Sequence, residues 1–111
     1  FHVSYSGVTM ALIHGGQPDA LMLCHEPTRK HMRGLPSYTL PSLEQLRDLV
    51  LPIAQVANPN CKIVGVSVNT QHMADQEANS YLNDLENRLG LPATDPFRYG
   101  AEKLVDALDT V

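Results

Sequence analysis

Two stretches of the chain are apolar without alternation, "ALMLC" at 20–24 and "IVGVSV" at 63–68. Runs of that length predict strands covered on both faces, as in a parallel sheet. Between them, "SLEQLRDLVLPIAQVAN" spaces Leu43, Leu46, Leu49, Val50, Ile53, Ala54 and Ala57 along one helical face, so the order strand, helix, strand makes a β-α-β unit. Ser42 with Gln45 three residues on reads as a capping box, which starts the helix where the loop "HEPTRKHMRGLPSYTLP" ends. Pro52 lacks an amide donor and is expected to bend the helix. Past the second strand, "MADQEANSYLNDLENRLG" turns Ala78, Leu82, Leu85 and Leu89 inward, with Gly90 placed to terminate it. "LPATDP" then reads as a short extended segment and "GAEKLVDALDTV" as a closing amphipathic helix, while "SGVTMALIHGG" at the front reads as a short helix stopped by Gly15 and Gly16. Two or three parallel strands make a poor sheet with edges open to further pairing. The predicted fold is therefore α/β, the C-terminal half of a doubly wound parallel sheet, with residues 1–111 as a single domain fragment.

Composition narrows the function classes. The chain has 111 residues, 43% of them hydrophobic, which suits one modest domain. Eight basic and 12 acidic residues leave a formal charge of -4, against a broad nucleic-acid-binding surface. The densest basic cluster, Arg29, Lys30, His31 and Arg33, is sized for one phosphorylated or carboxylated small molecule. Cys24 and Cys61 lie in or beside apolar runs and read as reduced, packed thiols, hence a cytoplasmic protein. For Cys24, the neighbours Met22 and Leu23 argue for packing over nucleophilic chemistry. No stretch approaches the roughly 20 apolar residues of a membrane span. The chain opens on Phe1, so a preceding segment, and any leader it carried, stays open.

In open α/β sheets ligands bind beyond the carboxyl ends of the strands. The first strand delivers His25, Glu26 and the basic loop to that edge, the second Asn69 and Thr70, the short third segment Asp95 and Pro96, and the three clusters are expected to converge. Ser4, Tyr5 and Ser6, with Thr9, gather around the start of the first helix as candidates to contact substrate, although Ser6 equally suits an N-cap. Asp95 and Pro96 equally suit a turn, and the basic loop equally suits a solvated surface. No pair among the histidines and cysteines has C-x-x-C or H-x-x-x-H spacing, so no metal site is expected.

The blocks "YSGVT", "CHEP" and "TDPFRYG", with "NPNCKIVGVSVNT" between the last two, resemble the C-terminal part of a family long catalogued as a domain of unknown function. Its members carry a P-loop NTPase-like C-terminal domain, and some have been assigned as D-glutamate or D-amino-acid N-acetyltransferases. The resemblance implies acetyl-CoA as acyl donor and a small-molecule substrate. It also implies a glycine-rich phosphate loop upstream of the matched region. No G-x-x-x-x-G-K-[ST] stretch occurs here, and "GVTMALIHGG" has neither the lysine nor the spacing, so the fragment alone is expected to be inactive. On this resemblance His25 and Glu26 become candidates for a general base and its orienting carboxylate, although neighbours on an extended strand point opposite ways and only one would face the ligand. Alternatively the two simply fix the loop. Arg29, Lys30 and Arg33 would hold coenzyme phosphates or substrate carboxylates, with arginine favoured for its fork. Asn69 and Thr70 would stand at the base side, where an amide offers donor and acceptor together, or Asn69 simply caps or turns the strand-to-helix loop. Two other readings compete: an ATP- or nucleotide-binding, ligase-like domain, and a non-catalytic folding and association module. A homo-oligomer, or association with the missing N-terminal part, is left open.

Overall fold

The computed structural model describes residues 5–111, and their elements follow the predicted order with three additions. They are α1 (Ser6–Gly16), β1 (Ala20–His25), β2 (His31–Met32), β3 (Leu35–Thr39), α2 (Leu43–Ala57), β4 (Lys62–Val68), α3 (Asp75–Leu89), β5 (Ala93–Thr94), α4 (Pro96–Tyr99) and α5 (Glu102–Ala107), then a 3-10 turn at Leu108–Thr110. Three strands form one sheet in the order β1-β4-β5. Val66 and Ser67 of β4 pair in parallel with Ala93 and Thr94 of β5. Lys62 N donates to Asp19 O at 3.1 Å and Asn69 N to His25 O at 2.8 Å, so β1 and β4 advance in the same sense. The fold is thus α/β with a parallel three-stranded sheet.

The described chain divides into two compact units, one made of residues up to Leu21 with Arg29–Ile63, the other of Met22–Thr28 with Val64–Val111. In the first, α1 packs on α2, and Ile13, Met32, Leu43, Val50, Ala54, Cys61 and Ile63 are buried. The capping box of α2 is present: Gln45 N donates to Ser42 Oγ at 3.1 Å and Ser42 N to Gln45 Oε1 at 2.9 Å. Pro52 lies inside α2, which continues to Ala57.

In the second unit Val64, Val66 and Val68 of β4 are buried together with Ala78, Leu82, Leu85 and Leu89 of α3, Leu104 and Ala107 of α5, and Leu23 of β1. The four inward positions of α3 are those that the periodicity predicts, and Gly90 ends the helix in the left-handed region at φ 67°. Gly65 permits the tight centre of this unit. A Cβ there would stand 3.0 Å from Leu104 Cδ2 and Met22 Sδ and 3.1 Å from the Pro92 carbonyl, closer than carbon normally approaches.

Several expectations are corrected. The stretch read as one long loop contains an antiparallel hairpin, β2 with β3, in which His31 opposes Thr39 and Met32 opposes Leu35, and Gly34 turns the chain at φ 78°. The hairpin buries only Met32, so it left no alternating pattern to read. Helix α1 runs through Gly15 and Gly16 and stops at Gln17, which takes the left-handed cap at φ 48°. Ser6 is the first helical residue of α1 and Tyr5 its N-cap, without a side-chain cap bond. Leu49 points outward. Cys24 is exposed, because β1 lies at the sheet edge and buries only Leu23, whereas central β4 is covered along most of its length. Asp95 and Pro96 open a helical turn, α4.

Candidate functional site

The carboxyl ends of β1, β4 and β5 stand side by side in the second unit, joined by hydrogen bonds between the segments that leave them. Asn69 N meets His25 O, as above. Thr70 N donates to Asp95 Oδ2 at 2.9 Å, and Thr70 Oγ1 donates to the same oxygen at 2.5 Å. The structure therefore brings together His25, Asn69, Thr70 and Asp95, with Glu26 and Pro96 next in sequence to two of them.

Asp95 is the buried centre of this edge, 3% exposed. Its second oxygen, Oδ1, accepts from Phe97 N at 3.0 Å and Arg98 N at 3.2 Å, capping α4. A carboxylate has about four acceptor positions, and four donors fill them. Burial alone would raise its pKa. The hydrogen bonds from Thr70 Oγ1 and N, Arg98 N and Phe97 N outweigh it and hold the carboxyl below the usual range.

Arg98, which the sequence reading did not single out, completes the cluster. Its Nε donates to Thr70 Oγ1 at 3.1 Å, its Nη2 to Thr70 O at 2.8 Å and Met73 O at 2.7 Å, and its Nη1 to Asp75 Oδ1. A guanidinium can only donate, so the Thr70 hydroxyl proton must point at Asp95. The signal for Arg98 was present in "TDPFRYG": an arginine three residues after a capping Asp lies one helical turn on, where its long side chain can reach back over the loop that Asp95 holds.

His25 is half-buried and its Nε2 lies 3.0 Å from Tyr81 Oη of α3, with the rings stacked at 6.4 Å and 20°. Burial lowers its pKa, and Arg88 adds to that against the opposing pull of Glu26, so the surroundings favour the neutral imidazole. Glu26 accepts from Thr28 N at 3.0 Å and from the Thr28 hydroxyl, which shapes the loop leaving β1. Asn69 is exposed, and its Oδ1 accepts from Gln71 N at 3.1 Å.

The remaining candidates belong to the first unit. Arg29 and Arg33 are exposed and make no ion pair with another described residue; between them, His31 Nδ1 donates to Met32 O at 2.9 Å. Tyr5 is exposed and Ser6 half-buried, while Ser4 lies outside the described residues. A groove of about 220 Å³ in the second unit is lined by Asn79, Asn83, Glu86, Thr94, Tyr99 and Lys103, among others, and by none of the expected site residues. Among the described residues no three His, Cys, Asp or Glu side chains are grouped to hold a metal ion, and no helix is long and apolar enough to cross a membrane.

The chain is 71% identical over 111 residues to a D-glutamate N-acetyltransferase of Tritonibacter scottomollicae, covering 100% of this chain and 33% of that protein. A D-glutamate N-acetyltransferase of a Pseudoalteromonas species is 39% identical over 104 residues, or 94% of this chain and 31% of its own length. The crystal structure of a DUF1611 family protein from Anabaena variabilis superimposes with a TM-score of 0.85 at 30% identity, covering 93% of this chain and 31% of that one. The chain thus spans about a third of the length of the relatives it matches. Residues 1–105 match the family described as a domain of unknown function, the DUF1611_C P-loop domain, and with a parallel sheet of the same fold the chain belongs to that family.

Proposed function

We propose that this chain forms part of a D-glutamate N-acetyltransferase that draws its acetyl group from acetyl-CoA, and that the joined strand ends supply its base and part of its ligand-binding edge. The observation that carries this reading is the 71% identity, across the whole chain, to a protein named for that activity. Acetyl-CoA, when bound, supplies the acetyl group as a thioester. An amine must lose its proton to attack such a carbonyl, and a neutral imidazole is suited to take it. Burial favours that state in His25, whose Nε2 meets Tyr81 Oη at 3.0 Å. Glu26 shapes the loop beside it.

Two exposed arginines fit the coenzyme. Arg29 and Arg33 stand exposed without a carboxylate partner among the described residues, in a chain of net charge -4, and would accept phosphates or the two carboxylates of the substrate. Asn69 Nδ2 offers a donor at the sheet edge for a base or a carbonyl, with Thr70, Asp95 and Pro96 setting the backbone around it.

The test uses the complete polypeptide with acetyl-CoA and D-glutamate, L-glutamate as the control and the acetylated product read by mass spectrometry. D-glutamate is expected to be acetylated, and His25→Gln to lower kcat by about 10²–10³-fold. The family's description as a P-loop domain favours ATP as the rival ligand. Calorimetric binding of ATP with no acetyl transfer would replace this reading with nucleotide binding.

A further inference from the structure

The base proposed above has two partners, and a single side chain that touches neither links the elements carrying them. His25 O accepts from the Asn69 amide at the β4 exit, and the His25 ring meets Tyr81 of α3. Arg98 grips both of those elements. It bonds Thr70 twice, directly after Asn69, and it bonds Asp75, the first residue of α3. Its fourth bond, to Met73 O, closes the turn in which Met73 N donates to Thr70 O at 2.9 Å.

We propose that Arg98 is the positioning residue of this site: it locks the β4 exit to the start of α3, so that the Asn69 amide and the Tyr81 hydroxyl hold His25 in one place. This rests on the assignment of His25 as the base. The geometry explains why arginine is used. Four acceptors on three residues, Thr70, Met73 and Asp75, surround one planar group with donors in a fixed fork, whereas a lysine ammonium has three donors on one atom and cannot span them. Both routes to His25 are short and stiff. One is the peptide that joins Asn69 to Thr70. The other is the six-residue step from Asp75 to Tyr81 along α3, about 9 Å of rigid helix. Asp95 supports the arrangement from below by capping the turn that carries Arg98 and by holding Thr70 with its other oxygen.

The test is NMR titration of the His25 imidazole in the complete polypeptide, assigned with His25→Gln, for the native protein and for Arg98→Ala, Arg98→Lys, Asp75→Asn and Lys103→Ala. The groups that act on this ring are Glu26, Arg88 and Tyr81, and all of them are kept. Loss of the latch lets water reach the ring, so Arg98→Ala is expected to move its midpoint up by about 0.5 pH unit or more toward the ordinary histidine value. kcat should fall about 10-fold, with KM for D-glutamate within about 2-fold. Arg98→Lys should restore less than half of either change. Lys103→Ala breaks a comparable polar link in the same unit, Lys103 Nζ to Glu86 Oε1 at 2.9 Å, and should leave His25 unmoved.

An unchanged midpoint in folded Arg98→Ala, or an equal shift in Lys103→Ala, overturns the proposal. Should Arg98→Ala fail to fold, Asp75→Asn, which weakens one of the four bonds, is expected to shift the midpoint in the same direction, and no shift there overturns it equally. The titration needs no turnover. A shifted midpoint in a protein that does not acetylate D-glutamate would retain the latch and remove the proposed function.

Discussion

The exits of β1 and β4 differ in how they are held. After β4, residues 69–75 are tied down by Asp95 and Arg98 through six hydrogen bonds to Thr70, Met73 and Asp75, and Thr70 and Asp95 are buried. After β1, Glu26 is engaged by Thr28 two residues on, and the chain then enters the exposed stretch of Arg29, Lys30 and Arg33. The first arrangement suits a residue that must not move, the second a loop that meets a charged ligand.

The sharpest way to break this contrast is Asp95→Ala. It removes a buried carboxylate and leaves the amides of Thr70, Phe97 and Arg98 without their acceptor, so a loss of about 3 kcal/mol is expected, read from the urea midpoint. A loss below about 1 kcal/mol would mean that the β4 exit holds itself without Asp95. A smaller effect comes from His25. Its folded pKa is depressed below an unfolded value of about 6.5. The unfolded chain therefore binds more protons in the window between the two values, and stability falls as pH drops from about 6.5 toward the folded value, then levels off. Urea midpoints from pH 7.5 down to 5 should show that slope in the native protein and lose its His25 share in His25→Gln. The smallest effect on stability is expected at the open loop. Arg29→Ala and Arg33→Ala should each change stability by under about 0.5 kcal/mol. Both should weaken acetyl-CoA binding by calorimetry, and unchanged affinity in both would return the loop to ordinary solvated surface.

The fold was legible wherever local chemistry and burial agree. Ser42 and Gln45 cap α2 because their geometry is local, and Ala78, Leu82, Leu85 and Leu89 face inward because a 3.6-residue period admits one buried stripe. The convergence of His25, Asn69 and Asp95 was legible too, since parallel strands place their carboxyl ends on one edge. The hairpin of β2 and β3 was hidden because two of its residues against five, with Met32 alone buried, leave no periodic trace. Gln17 took the left-handed cap from two adjacent glycines, a choice that no composition rule would favour.

By itself, then, the order of residues determined the long helices, the two long strands of the parallel sheet, the capped start of α2 and the edge on which polar groups gather, because those depend on neighbours within a turn or two of the chain. Tertiary structure decided what depends on distant partners. Cys24 and Val66 lie in apolar runs of the same texture, yet one is exposed on an edge strand and the other buried at the sheet centre. Asp95 and Arg98 look like a turn and a surface cation until Thr70, 25 and 28 residues away, gives their charges something to hold. Burial and hydrogen bonding across such separations are properties of the packed chain, and a local motif can mark the residues without naming their partners.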